Sequence, residues 1–507
     1  MQINKIIFSI VLLVCYQSYG QQTFTSILLD SKTEKPVVFA TIQFNSKTGV
    51  ISNDNGEFNI TIKRDVKATD SLMISCLGYD EKRIPLLNFN NSTIYLTPQT
   101  VDLSEVLITN KNYTIDEILD KVKEGLLVNY DFGYTKRKLF YRTSNYIKMD
   151  KRYVDLEKST IPEINQHFID SLIQSIPKNI DNHTEILGEL YGEIKAEKFQ
   201  KMEILKACKL FDKSTEVNLK NYEERLNSIL KKHVKRDSYF KIKSGWFSVK
   251  EGTDSSLFDD STENDVTDTL LAEQRKKDSI RKIGFLHWRK MMIHQFENNN
   301  FIDSDNDLNF IHKSRRYEFE LSDYAYINDM FVYVITFKPK RGEDYSGTMY
   351  INTEDFAVIR VDYKNVKPLS KFSLLGISNN KYLKEGTIIF QMSDNKKYTL
   401  KYRDETLGEK IGIKRPLKIV EKNKNVKGRR KQNEVKGEIH FIARSIEKTE
   451  LIVFETEAIS ASVYHNFKEK TLVEPIHLNQ YDPEFWKGYN IIEPNKAIKG
   501  FKVTPLE

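Results

Sequence analysis

Cysteine is scarce in this chain, with three in 507 residues, and Cys15 sits in an apolar N-terminal run. That leaves Cys76 and Cys208. One is placed on a strand and the other on an expected helix, so they read as two separate buried thiols rather than a disulfide framework. Long apolar runs are absent after the N-terminus, and no stretch there has the roughly 20 apolar residues a membrane-crossing helix needs. Charge of one sign is not in excess either: 78 Lys and Arg stand against 71 Asp and Glu, a formal net charge of +7. So balanced a chain gives no electrostatic case for nucleic acid. Three fingerprints are missing too: the Gly-x-Ser-x-Gly elbow, the phosphate loop and the dinucleotide-binding glycine pattern.

The N-terminus has the pattern of a leader. Lys5 precedes the apolar run Ile6 to Val14, and Ser18-Tyr19-Gly20 supplies small residues before Gln21. A basic, an apolar and a small-residue region in that order make a secretory signal peptide over 1–20. Val14 before Cys15 argues against a lipid-anchored cysteine. The expected location is therefore the periplasm or the outer membrane, reached by export.

Residues 24 to 108 carry the most specific pattern. Phe39-Ala40-Thr41-Ile42-Gln43-Phe44 is rich in strand formers. Asn53-Asp54-Asn55-Gly56 tolerates the positive φ of a strand reversal. Phe58, Ile60 and Ile62 alternate with Asn59, Thr61 and Lys63, as in a strand with one buried face. Ser75-Cys76-Leu77-Gly78-Tyr79, Leu96-Thr97-Pro98 and Leu103-Ser104-Glu105-Val106-Leu107-Ile108 follow. In this order and spacing the stretch resembles the carboxypeptidase regulatory-like domain found at the front of many outer-membrane and periplasmic proteins of Gram-negative bacteria. The resemblance implies a transthyretin-like β-sandwich over 21–109, a domain that is not the catalytic part of carboxypeptidases. In receptors that carry it, the Glu-Val motif leads into a plug and a membrane barrel. Here Thr114-Ile115-Asp116-Glu117 has the capping-box form and opens an amphipathic helix instead.

The remainder divides into a helical and mixed region, 110–315, and an antiparallel β domain, 316–507. In the first, Phe199, Met202, Leu205 and Cys208, and then Tyr222, Leu226, Ile229 and Leu230, recur at helical spacing. Residues 251–282 are a charged insertion, acidic first and basic after. In the second, Phe331 to Phe337 reads as a strand covered on both faces. Ala357 to Tyr363 and Tyr398 to Tyr402 read as strands with one wet face, the latter presenting Lys397, Thr399, Lys401 and Arg403 to water. Ile439 to Ile446 and Leu451 to Phe454 extend the set. The fold class is mainly β with a helical middle, ending in a large antiparallel sheet or half-barrel. The run Tyr345 to Ile359 resembles, more loosely, the sheets of periplasmic lipoprotein carriers, whose concave face holds acyl chains. Asp482 to Pro494, dense in aromatics, is expected to clamp onto this sheet. Lys422 to Lys431 is a basic loop able to touch anionic head groups, so association with a membrane surface stays open.

The sequence assigns no catalytic or metal site. His294-Gln295-Phe296-Glu297 puts two metal-ligating types at i, i+3 on a helix. His287 lies about 10 Å along the axis, too far to share one zinc. His312, His440, His465 and His477 have no ligand context, and Phe285, Trp288, Met292 and Phe296 read as that helix's core stripe. Asp303-Ser304-Asp305-Asn306-Asp307 starts like a calcium loop without its later glycine and glutamate. Paired carboxylates leave no local signature. The expectation is thus a binding or scaffolding protein of the cell envelope, without cofactor, whose partner is an envelope protein or an apolar ligand. A carrier of lipid and a metal-dependent hydrolase are the alternatives.

Overall fold

The computed structural model describes residues 21–45, 48–90, 93–99, 113–195, 200–245, 247–252, 284–327, 330–423, 425–427 and 430–503. Residues 1–20, expected to be a leader, the segment Leu103 to Ile108 and nearly all of the charged stretch 251–282 lie outside them. Two compact units result, one of 1–112, 323–333 and 482–499, the other of 113–322, 334–481 and 500–507.

The first unit holds two small sheets. One has the order Glu57–Ile62, Gln22–Asp30, Ile94–Leu96, and the other Thr48–Ile51, Thr41–Phe44, Ser71–Ser75, Lys82–Pro85. The alternation seen in the sequence decides which side chains fill it. Leu28, Ile42, Val50, Phe58, Ile60, Leu72, Ile74 and Leu96 are all buried. Two polar devices fix the ends of strands. Asn53 Oδ1 accepts the Asn55 and Glu57 amides, both at 2.9 Å, closing the turn expected there. Gly56 has φ +73°, and a Cβ on it would lie 2.4 Å from the Leu28 carbonyl oxygen, so the turn admits no other residue without a shift. Asp30 accepts the Lys32 and Thr33 amides and the Tyr79 hydroxyl, and these bonds hold its carboxyl down at about 2.

The aromatic segment Asp482 to Pro494 belongs to this unit, not to the large sheet it was expected to clamp. Asn490 Oδ1 accepts the Thr61 amide at 2.7 Å, and Asn53 Nδ2 donates to the Glu493 carbonyl at 3.1 Å. Lys499 pairs with both Glu57 and Glu493 at 3.0 Å. Trp486, Ile491, Ile492 and Ile498 are buried. Strand Glu57–Ile62 would otherwise be an open sheet edge, and the segment covers it.

Among the described residues the second unit is dominated by one open, 14-stranded sheet, of which 323–327 and 330–333 are counted in the first unit. Its path runs Tyr317–Ile327, Met330–Pro339, Tyr345–Asn352, Val358–Asn365, Ile377–Met392, Tyr398–Asn423, Lys431–Ala458, Thr135–Ser159, Asn179–Gly192, Lys201–Leu210, Ile476–Leu478. From Tyr345–Asn352 to Lys201–Leu210 the neighbours are antiparallel, and the last pair is parallel. The hairpin Ser238–Ser244 and Phe247–Gly252 adds to Tyr398–Asn423, and Ser370–Leu374 adds to Ile377–Met392. The sheet does not close into a barrel. Five of its strands come from the region expected to be helical and mixed, so a boundary at 315 does not bound this sheet.

Several local expectations change. Lys201–Leu210 is a strand, because Met202, Ala207, Cys208 and Leu210 are buried against neighbours on a pleated sheet that spacing alone did not reveal. The companion helix is present at Lys213–His233. Met330–Pro339 lies second from an edge rather than centrally. Helix Ile115–Gly125 begins at the capping box as expected, with Thr114 and Glu117 bonding reciprocally. Cys76 and Cys208 are not joined in a disulfide.

Candidate functional site

The three longest strands, Tyr398–Asn423, Lys431–Ala458 and Thr135–Ser159, lie side by side and set up two faces. Register is unbroken from Tyr402↔Ile452 to Val420↔Glu434. Side chains alternate across a strand, so Arg403, Glu405, Leu407, Glu409, Ile411 and Ile413 share a face with Leu451, Thr449, Glu447, Ser445, Ala443 and Phe441. Tyr141↔Leu451, Ser445↔Ile147 and Ala443↔Met149 add Tyr141, Ile147 and Met149 to the same face.

A helix over 284–298 covers one end of this face. Phe285, Leu286 and Ile293 are buried, whereas Trp288, expected in the core stripe, is 60% exposed. Phe296 packs 6.3 Å from the Tyr141 ring, and Arg289 donates to Thr184 Oγ1 at 3.2 Å. Between helix and sheet is an open cleft of about 590 Å³ lined by Tyr141, Met292, His294, Asn298, Glu405, Leu407, Glu447 and Thr449 among others. Farther along, the same face meets Phe168, Ile229, Ile161 and Ile164, which pack with Val435. Between the two covers runs a row left half open. Leu407 is 37% and Ile411 42% exposed, and Ile413, Phe441, Ala443, Ile147 and Met149 are half-buried. Glu409 and Ser445 interrupt it, and Glu409 is tied to Asn379 Nδ2 at 2.7 Å. The opposite face at these positions carries exposed Lys410, Lys414, Arg444 and Lys148 beside half-buried Ile442 and Ile446, with Arg444 paired to Asp150 at 2.7 Å.

Charged groups lie beneath the cleft. Arg403, fully buried, donates to Glu405 at 3.1 Å and to the Phe296 carbonyl, with its guanidinium 4.4 Å from the Phe296 ring. Glu405 also accepts the Tyr363 hydroxyl at 2.7 Å and has Lys384 Nζ at 3.7 Å. Glu447 has fewer compensations. Burial, and then the like charge of Glu405, push its carboxyl above the usual range, with Arg289 opposing. Burial also raises the Tyr141 hydroxyl and lowers the His294 imidazole. Lys401, in the same strand, is buried near the Val453 carbonyl at 3.1 Å, and burial pulls its amine down to about 8. Lys401 and Arg403 were expected in water; they are buried because neighbouring strands and the helix cover both faces here.

His294 and Glu297 do lie on one helix, but their side chains have different surroundings. His294 lines the cleft, while both Glu297 oxygens are taken by Arg137, at 2.5 and 3.2 Å, in a fully buried pair. Among the described residues no group of three or more His, Cys, Asp and Glu stands together as a metal site. Asp303 of the calcium-like run is paired with Lys195 at 2.7 Å. His440 bonds Tyr153 and His477 bonds the Phe211 carbonyl. Arg403, Glu405, Glu447 and Tyr141 escaped the sequence reading. The one signal for them was charge at alternate positions of otherwise strand-like runs.

A chain with an N-terminal β-sandwich and a large open antiparallel sheet is thus a two-part β protein. Its front part is assigned: residues 27–108 match the family model of the CarboxypepD_reg-like domain. No curated protein matches the chain. Among solved structures, a LolA superfamily protein from Nitrosomonas europaea is similar at 10% identity and TM-score 0.18, covering 70% of this chain and 98% of its own. An outer membrane lipoprotein-sorting protein domain from Vibrio parahaemolyticus follows at 8% identity and TM-score 0.19, covering 68% and 95%. The MucA/MucB complex of Pseudomonas aeruginosa matches at 6% and 0.14, covering 68% and 98%. Likenesses this slight carry no argument about function.

Proposed function

We propose that this chain is an exported binding protein that holds an amphipathic ligand on the large sheet. The acyl part lies along the Leu407–Ile411–Ile413 row and the polar end sits in the cleft under helix 284–298. The observation that carries the reading is the half-open apolar row on a face that is covered at both ends. A sheet face in water is normally polar, and one packed as core is normally closed. This row is neither. From Leu407 to Ile413 it spans about 20 Å at roughly 3.3 Å per residue, enough for an extended acyl chain. At the cleft end Glu447, His294, Gln295 and Asn298 supply a carboxyl, an imidazole and amide groups, suited to a head group that both donates and accepts hydrogen bonds. The leader-like sequence and the front domain's resemblance support a place in the cell envelope.

The test is native mass spectrometry with lipid extraction of protein purified from envelope fractions, followed by titration with a fluorescent fatty acid. Wild type should retain an apolar ligand, and Ile411→Glu with Phe441→Glu should weaken probe binding at least about tenfold by burying charge against the chain. Protein that arrives ligand-free, and whose double variant binds the probe as wild type does, overturns the reading.

A further inference from the structure

Two hairpin tips of the sheet unit stand together and are built against the ordinary rules for tips. Ser370–Leu374 turns into Ile377–Met392 through Leu375 and Gly376, with Leu374 paired to Ile377. Both turn residues have positive φ, 51° for Leu375 and 77° for Gly376. Asn, Asp or Gly belongs at the first of these positions, and a leucine there costs conformational energy. The second tip, between Ser238–Ser244 and Phe247–Gly252, pairs Ser244 with Phe247. Arg415 fastens the two. Its Nη1 donates to the Leu375 carbonyl and its Nε to Ser244 Oγ, each at 2.8 Å, its Nη2 donates to the Ser244 carbonyl, and its guanidinium lies 5.1 Å from the Phe247 ring.

The apolar side chains so gathered are not buried. Phe372, Leu374, Leu375, Ile377, Phe247 and Val249 are each between 40% and 60% exposed. Their surroundings are basic. Segments 238–252, 370–381 and 409–418 contain nine Lys and Arg and two acidic residues, Glu251 and Glu409, the latter opposite Lys381. Of the nine, Arg415 is spent on the bridge, Lys418 pairs with Glu434 at 2.6 Å and Lys414 approaches Glu438 at 3.8 Å. Lys243, Lys250, Lys371 and Lys381 remain exposed around the apolar side chains.

We infer that these paired tips dock the protein onto an anionic lipid surface. The apolar side chains enter the head-group boundary, and the lysines meet lipid phosphates. Charge selects this partner: a ring of lysines around apolar tips complements a negative interface with a hydrophobic interior. A second copy of the chain would bring lysines against lysines. Leu375 has a reason to keep a conformation that folding disfavours, because a leucine at the outermost point of the turn is where an interface rewards it. The inference rests on the tips and does not depend on the ligand reading.

The experiment is co-sedimentation of the full chain with vesicles of phosphatidylcholine alone, or with a third of it replaced by phosphatidylglycerol. Wild type should bind the anionic vesicles, and high salt should weaken that binding. Leu374→Asp with Leu375→Asp should lower partitioning about tenfold or more. Leu375→Asn separates docking from folding: asparagine suits the positive φ, so thermal stability should hold or rise while vesicle binding drops severalfold. Its retention of the fluorescent fatty acid should be unchanged, so a failure here is distinct from a failure of the ligand reading. Equal binding to both vesicle types, no binding to either, or Leu375→Asn partitioning like wild type overturns the inference. So does a vesicle-free dimer that the double aspartate variant dissociates.

Discussion

The front sandwich and the large sheet solve the same problem, how to end and cover β-strands, with different materials. The sandwich uses short local devices: Asn53 folding back on Asn55 and Glu57, Gly56 against Leu28, Asp30 held by Tyr79. The sheet uses strands of up to 28 residues whose register is kept over long distances, and it buries arginines and acids between them and their covering helix. Arg137, Arg142 and Arg403 are among its largest fully buried side chains. Turn hydrogen bonds and partly exposed ion pairs such as Lys499 with Glu57 therefore serve one unit, and fully buried ion pairs the other. A charge lost in the sheet should cost more than a turn residue lost in the sandwich.

The largest effect should come from Arg137→Met. It leaves Glu297 buried and unpaired, and unfolding free energy should fall by about 3–5 kcal/mol, measured by denaturant titration of the sheet unit's transition. A loss near zero would mean that the pair is structurally idle and would erase the contrast. Lys401→Met should act in the opposite direction, stabilising by up to about 3 kcal/mol, because a buried amine lowered from 10.5 to about 8 is a charge the fold disfavours. The same lowering gives a pH signature. Between about 8 and 10.5 the unfolded chain still holds the proton that the folded chain has released. Stability should therefore rise with pH through that window in wild type and not in the variant. Smallest is Gly56→Ala in the sandwich, about 1–3 kcal/mol from the left-handed φ and the contact with Leu28, seen as a lower Tm of the front unit alone. If it lowers both units' transitions equally, the two regions are not energetically separate.

The same contrast explains what could be read in advance. The sandwich was legible because its turn residues, Asn53 to Gly56 and Gly78-Tyr79, carry their reason in their own chemistry, and period-2 burial follows from Phe58, Ile60 and Ile62. The capping box at Thr114 was legible on the same ground. In the sheet, Tyr398 to Arg403 has the right period but gives the wrong environment. A lysine at 401 reads as wet until Val453 and the strands around it are placed. Met202 to Cys208 fits helical spacing equally well, and only pairing with Glu185 to Leu190 decides for a strand. The cleft was illegible because its members come from three strands and a helix separated by up to some 300 positions. Asp482 to Pro494 was rightly read as packed, but its partner is Asn53 and Thr61, more than 400 positions earlier.

That last pairing bears on how the chain is made. The edge strand Glu57–Ile62 receives its cover only when residues near 490 have left the ribosome. Until then the sandwich, though synthesised first, presents an open edge throughout the production of the sheet unit. Its completion is set by the tail of translation, and a nonsense codon near 480 would injure the domain at the front.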